Sequence, residues 1–389
     1  ESVSWARRWV YEPPINGLAG DDMLIGGTDN DRFEFDENWG NDTVEELAGG
    51  GTNDTMSFSD VSTDLTITVG TNSINVTDGV NFVNHVGDIT NHIESLEGGT
   101  GNNQLIAADT PNTWIITGEN EGTINGLLFT NVANLIGGSD MDTFIFGAAG
   151  RITGNIAGGG GDDLFNLAVG LGIGGILDGG GDNDQLIGPD TGAVYTITGL
   201  DAGTATGIGG GFVDIENLTG GPSTDVFGLD GGPLSGTIDG GNTAADTLTA
   251  DNGVATQFVI TALNAGTVTG VGGGFSDIEN LTGGTSADTF ALNGGTLTGS
   301  ITGGGAVDTL IADNGVPTAF VINGANQGSV TGIGAGFTEV ENLTGGASAD
   351  TFTFGAAGQI TGNLTGGTSD DLFNLAAVSY THLTLPTKA

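Results

Sequence analysis

An all-β, parallel β-solenoid is the fold class that this sequence predicts, and three observations predict it. Glycine supplies 76 of 389 residues against 8 prolines, with no strict every-third spacing, which favours a turn-dense β architecture over a collagen helix. The turn residue before each large apolar side chain recurs at Asn103, Thr123, Asp142, Asp163, Asp184, Ala205, Asp225, Asp246, Thr267, Asp288, Asp308, Ser329, Asp350 and Asp371. These thirteen intervals run from 19 to 21 residues with a mean near 20.6. A longer repeat overlies them, because Glu216, Glu279 and Glu341, each opening an E-N-L-T-G-G motif, are 63 and 62 residues apart. A short constant period without helical patterning implies one coil per period, so a β-roll or β-helix with coils of about 21 residues grouped in threes is expected.

Three coil types alternate. The first, DTFALNGGTLTGSITGGGAV from Asp288, sends Phe290 and Leu292 inward on one face and Leu297 and Ile301 on others, with Gly pairs at the corners. The second, from Asp308, carries an A-D-N-G turn and a Phe-Val-Ile strand, and the third, from Ser329, runs through SVTGIGAGF into V-E-N-L-T-G-G. Adjacent coils stack at about 4.8 Å, which puts the E-N-L motifs roughly 14 Å apart, too far to form one carboxylate pair or one asparagine ladder. Asn217, Asn280, Asn342 and Asn363 of the N-L-T triplets are expected to close turns rather than to carry sugar.

Composition narrows the function classes. Against 48 acidic residues stand Arg7, Arg8, Arg32, Arg151 and Lys388, a net charge of -43, so no basic patch exists for nucleic acid and cations are the favoured partners. With no Cys, stability must come from packing, backbone ladders or oxygen-ligated metal. No apolar run is long enough to span a membrane.

Residues 1–16 differ in composition from all that follows and are expected to be a linker or the end of an upstream domain, with Trp5, Trp9 and Tyr11 as the alternative of an aromatic patch. From Gly17, GLAGDDMLI and GGTDNDRFE follow the nine-residue template G-G-x-G-x-D-x-U-x, with U a large apolar residue. Here the chain resembles the RTX (repeats-in-toxin), or haemolysin-type, calcium-binding family. That resemblance covers residues 17–39 and implies a parallel β-roll in which the turns at Gly20, Gly27 and Asp29 supply Ca2+ ligands, Asp22 and Asp31 complete the Ca2+ shell, and Leu24 and Phe33 enter the core. Leu18 and Asp29 depart from the template's glycines, and the alternative is Asp residues that close turns through their own backbone bonds. Residues 40–102 are less regular. They keep Gly-x-Asp turns at Asp42 and Asp54, and His85 and His92 are expected on surface or strand positions.

In residues 103–377 the turn aspartates fall in neighbouring coils: Asp142, Asp163 and Asp184, then Asp225 with Asp246, Asp288 with Asp308, and Asp350 with Asp371. Two carboxylates about 4.8 Å apart repel by about 3 kcal/mol at an effective dielectric of 20, which turn amides or a bridging Ca2+ must offset. Both offsets stay open, and Ala205, Thr267 and Ser329 are expected to interrupt each row. Residues 378–389 break the repeat and resemble a translated transposase sequencing adapter, so a non-native tail is expected there.

The function these features point to is a fragment of a secreted or surface-exposed bacterial calcium-binding repeat protein, an adhesin or exoprotein stalk exported by a type I system, with a cell-surface or matrix ligand. The rival class is the export tail of a secreted enzyme whose catalytic domain lies elsewhere. The chain has no H-E-x-x-H and no G-x-S-x-G, so no catalytic role is expected within it. Ice binding through Thr rows such as Thr267 and Thr269 ranks lowest, since those rows are not expected to recur in adjacent coils.

Overall fold

A computed structural model describes residues 14–46, 51–86, 93–241 and 245–375. Trp5, Trp9 and Tyr11, His92 and the tail from residue 378 lie outside the described residues. The chain divides into two compact units, one of residues 1–223 with 234–236, the other of residues 224–233 with 237–389. Each is a stack of short strands in two large sheets, joined in the first unit by a small third that pairs Arg151–Ile152 with Gly172–Ile173, and in ordinary coils successive strands alternate between the large sheets.

In the first unit one sheet stacks Ile15–Gly17, Arg32–Phe35, Thr55–Ser57, Ser95–Glu97 and Leu127–Thr130 in parallel. The other stacks Gln104–Ile106, Asn134–Ile136, Ile156–Gly159, Leu177–Gly180 and Phe212–Val213 in the same manner. In the second unit, Gln257–Ala262, Thr289–Leu292, Thr309–Ile311 and Asn342–Thr344 form one such ladder. Opposite runs Val226–Leu229, Thr247–Thr249, Asn280–Thr282, Ser300–Thr302 and Ile333–Thr338. The parallel β-solenoid is therefore the fold of both units, and the residues that read as irregular, where described, share it.

The last strand of the second coil and the third coil of each repeat depart together from ordinary winding. Gln257–Ala262, Ala265–Val268 and Val271–Ser276 form an antiparallel meander within one sheet. Its first strand pairs forward with Thr289–Leu292 and its last pairs back to Thr237–Asp239. Ala319–Gly324, Gln327–Val330 and Ile333–Thr338 repeat this in the opposite sheet. The first unit has equivalents at residues 66–86, 113–130 and 194–213. Asn264 and Asn326, each at φ 52, allow the first reversal, and Gly270 and Gly332, each at φ 95, the second. Ala205, Thr267 and Ser329 thus sit in the middle, reversed strands.

Alternation fills the space between the sheets. Along Thr289–Leu292, Phe290 and Leu292 are buried and their neighbours are not, and Leu297 and Ile301 are buried as expected, as are Leu24 and Phe33. Identical phases in successive coils stack aromatic rings: Trp114 on Phe144 at 5.4 Å and Phe144 on Phe165 at 5.1 Å, with Phe320, Phe352 and Phe373 at 4.7 and 5.0 Å.

Candidate metal centre and buried carboxylate rows

Most coils begin a strand with an acid or amide, one unspecified residue and a large apolar side chain, and Thr256 and Thr318 take the polar place in two others. Because the apolar residue is locked into the core, the acid two positions earlier is fixed at the corner, and the acids of neighbouring coils fall into rows. Each acid then accepts the backbone N–H of the row member one coil before it. Asn112 N–H donates to Asp142 Oδ1 at 2.7 Å, Asp142 to Asp163 at 2.6 Å, Asp163 to Asp184 at 2.7 Å, and Asp184 to Glu216 Oε2 at 2.7 Å. In the second unit Thr256, Asp288, Asp308 and Glu341 form the same chain at 2.7, 2.7 and 2.9 Å. Asp225, Asp246 and Glu279 form another, as do Thr318, Asp350 and Asp371.

Two features of these rows depart from expectation. Ala205, Thr267 and Ser329 do not interrupt them; the E-N-L glutamates occupy the next place instead, set by registers that pair Leu186 with Leu218, Leu248 with Leu281 and Leu310 with Leu343. The glutamates do not meet each other, but each closes an Asp row. The longer side chain also reaches the meander turn, where Asn264 Nδ2 donates to Glu279 Oε1 at 2.7 Å and Asn326 Nδ2 to Glu341 Oε1 at 2.8 Å. The N-L-T asparagines do close corners: Asn280 Oδ1 accepts Ser300 N–H at 3.1 Å and Asn342 Oδ1 accepts Asn363 N–H at 2.7 Å.

The second carboxylate oxygen distinguishes two kinds of turn. In one, the second glycine of the Gly pair donates to it: Gly138 to Asp142 and Gly284 to Asp288, each at 2.7 Å, and Gly346 to Asp350 at 2.6 Å. In the other, Gly159, Gly180 and Gly304 adopt φ of 113, 102 and 95, and Oδ2 of Asp163, Asp184 and Asp308 is buried without a hydrogen-bond partner. The first glycine of each pair leaves the space that this oxygen fills; a Cβ on Gly283, for example, would lie 2.6 Å from Asp288 Oδ2. Burial, followed by neighbouring carboxylates, pushes Asp163 and Asp184 up to about 7 and Asp308 to about 6 against the amides that hold them. Burial likewise raises Asp42 and Asp246 to about 6.

Near the start of the chain the same corner gathers three acids. Ligand oxygens of Asp31, Glu46 and Asp54 all lie within 4.8 Å of one another, and all three residues are buried. Asp31 N–H donates to Asp54 Oδ1 at 2.7 Å, Gly27 N–H to Asp31 Oδ2 at 2.6 Å, and Asp54 N–H to Glu94 Oε2 at 2.7 Å. Asp22 belongs to the opposite corner, its N–H donating to Asp42 Oδ1 at 2.8 Å, and Gly20 holds φ 132 in the preceding turn. Asp29 is not a member of the three-acid group. Carboxylate oxygens are the donor type that a hard divalent cation such as Ca2+ takes. Sequence reading singled out Asp31 but not Glu46, which belongs to no nonapeptide; only the fold brings it beside Gly26. His85 is a buried strand residue, its Nδ1 3.2 Å from the Val44 carbonyl oxygen.

No family profile and no curated relative matches the chain. Among solved structures, it is similar to a hyperactive, Ca2+-dependent, β-helical antifreeze protein from an Antarctic bacterium. The identity is 15% over 92% of this chain and 84% of that one, with a TM-score of 0.13, and an overlay that loose carries no argument about fold or function.

The outer face of one sheet in the second unit carries a regular hydroxyl column. Thr249, Thr282, Thr302 and Thr338 are direct register partners in successive coils, outside the buried Leu248, Leu281, Ile301 and Phe337. Threonine rows therefore do recur in adjacent coils, at positions other than Thr267 and Thr269.

Proposed function

We propose that this chain is a segment of a secreted or surface-exposed calcium-binding repeat protein with a structural or interaction role, an adhesin or exoprotein stalk, rather than a catalytic one. The observation that supports it is the buried cluster in which Asp31, from a turn that resembles an RTX nonapeptide, meets Glu46 and Asp54. Three ionised carboxylates this close repel strongly in a low-dielectric corner, and a divalent cation converts that repulsion into attraction. Such a segment orders where Ca2+ is abundant, outside the cell, and stays less ordered where Ca2+ is scarce. Calorimetric titration with Ca2+, paired with melting in millimolar Ca2+ and in chelator, tests this. A saturable site lost in Asp31→Asn plus Asp54→Asn is expected; identical curves for the parent protein with and without Ca2+ would remove the reading.

A second reading, docking of the threonine column on an ordered surface such as ice, is favoured by the register of Thr249, Thr282, Thr302 and Thr338. Ice-recrystallisation inhibition that Thr282→Lys abolishes would support it, and inactivity of the parent protein would end it.

A further inference from the structure

One groove of the first unit shares no residue with the three-acid cluster. It runs across the outer face of one sheet, over the strands Thr66–Gly70, Gln104–Ile106, Asn134–Ile136, Ile156–Gly159 and Leu177–Gly180, which are paired in that order. At about 4.8 Å per strand it is about 19 Å long, and its volume is about 500 Å³. The dent exists because Ala157 places a small side chain in register between Ile136 and Asp178.

The lining has a distinct order. Asp64 stands at one end and Asp178 at the other; between them the polar Gln104, Asn134 and Asn155 run beside the aliphatic Ile136 and Ala157, and Ile176 lies next to Asp178. Asp178 also faces the like charge of Asp214, and burial and that neighbour both push its carboxyl up. No Lys, Arg or aromatic side chain lines the groove. An anion is therefore repelled, and a sugar ring finds no aromatic platform to stack on. The complement is a long aliphatic chain with positive charge at its ends and donors along its length.

We propose that this groove binds a linear aliphatic polyamine, its methylenes over Ile136, Ala157 and Ile176 and its terminal ammonium groups on Asp178 and Asp64. The surrounding negative field concentrates such cations and speeds their arrival. The aliphatic floor and the fixed spacing of the two carboxylates make the site selective among them.

Spermine is the probe, titrated calorimetrically into the full chain at 150 mM NaCl, where exposed charges are screened beyond about 8 Å. One saturable site is expected. Ala157→Trp fills the groove without changing the charge and should weaken binding at least tenfold; Asp178→Asn should weaken it several-fold, and 1,4-diaminobutane, too short to span the two acids, should bind at least tenfold more weakly than spermine. Ile176→Lys, at an exposed floor position, places a competing ammonium in the groove and serves as the second variant if the Trp variant melts early. An isotherm unchanged by both Ala157→Trp and Ile176→Lys would show diffuse binding to an acidic chain and overturn the proposal, as would the absence of saturable binding. Retention of spermine binding in Asp31→Asn plus Asp54→Asn is expected and keeps this site independent of the calcium cluster.

Discussion

Asp184 Oδ2 and the carbonyl oxygen of Asp214 both crowd the space that a Cβ on Gly179 would occupy, and the buried Asp184 oxygen has no hydrogen-bond partner. The chain contains its own control. At Asn103 an amide takes the same place in a row, its Oδ1 accepting Leu65 N–H at 3.1 Å while its Nδ2 donates at 2.8 Å to the Asn131 carbonyl and at 2.8 Å to that of Gly99. An N–H at this position is what the corner accommodates, and Asp184 supplies one equivalent only as the neutral acid.

Asp184→Asn and Asp163→Asn are therefore expected to raise the melting temperature at pH 8, by relief of a buried, unpartnered acceptor worth about 1–3 kcal/mol. Asp142→Asn should lower it by a similar amount, because Gly138 N–H at 2.7 Å would then meet an amide donor in place of its acceptor. Thermal melts of the three variants at one pH decide this; an equal loss in all three would show that the two kinds of turn are equivalent.

The pH dependence has a definite sign. A carboxyl whose folded pKa is raised favours the fold while protonated, so its contribution is complete below the ordinary value near 4 and lost as pH rises through the folded value. For Asp163 and Asp184 that value is about 7 and for Asp308 about 6. Without divalent cations the protein should melt higher at pH 5 than at pH 8, the reverse of ordinary acid denaturation, and Asp163→Asn plus Asp184→Asn should flatten the curve between pH 5 and 8.

Gly179 tests the corner from the other side. An added methyl would sit 2.5 Å from Asp184 Oδ2 and closer still to the Asp214 carbonyl oxygen. Gly179→Ala is expected to destabilise by about 1–3 kcal/mol through overpacking. Gly181→Ala, where a Cβ meets only the Gly159 carbonyl at 4.0 Å, should be nearly neutral in the same denaturant titration.

The meander turn separates conformation from hydrogen bonding. Asn264 combines φ 52 with a 2.7 Å bond to Glu279. Asn264→Gly keeps the backbone freedom but loses that bond and those with Thr298, whose N–H donates to Asn264 Oδ1 at 2.9 Å, at an expected cost of about 1–3 kcal/mol, whereas Asn264→Ala also loses the backbone freedom and should cost about 1–2 kcal/mol more. Equal melts for the two variants would mean that the left-handed backbone carries no strain.

Phe144 is stacked between Trp114 and Phe165 and is fully buried. Phe144→Ala should cost about 3–5 kcal/mol, measured by urea unfolding, and would be expected to decouple its coil from its neighbours, since a solenoid coil touches little else.

Sequence alone determined the class of fold and the phase of the core. The 20.6-residue period needs nothing beyond repetition to imply stacked coils, and Phe290, Leu292, Leu297 and Ile301 are buried as their spacing requires. It also located the corner acids, because Asp288 or Asp350 two residues before a core phenylalanine can sit nowhere else. Tertiary structure decided the rest. A meander and a coil have nearly the same length and the same apolar count, so the period could not tell reversal from winding; the positive φ at Asn264 and Asn326 did. The row places of Glu216, Glu279 and Glu341 were hidden for the same reason, since each lies 32 or 33 residues from its Asp partner, across a meander, rather than one period away. The gathering of Glu46 with Asp31 and Asp54 depends on which coil lies next to which, and that is a property of register, which local sequence does not encode.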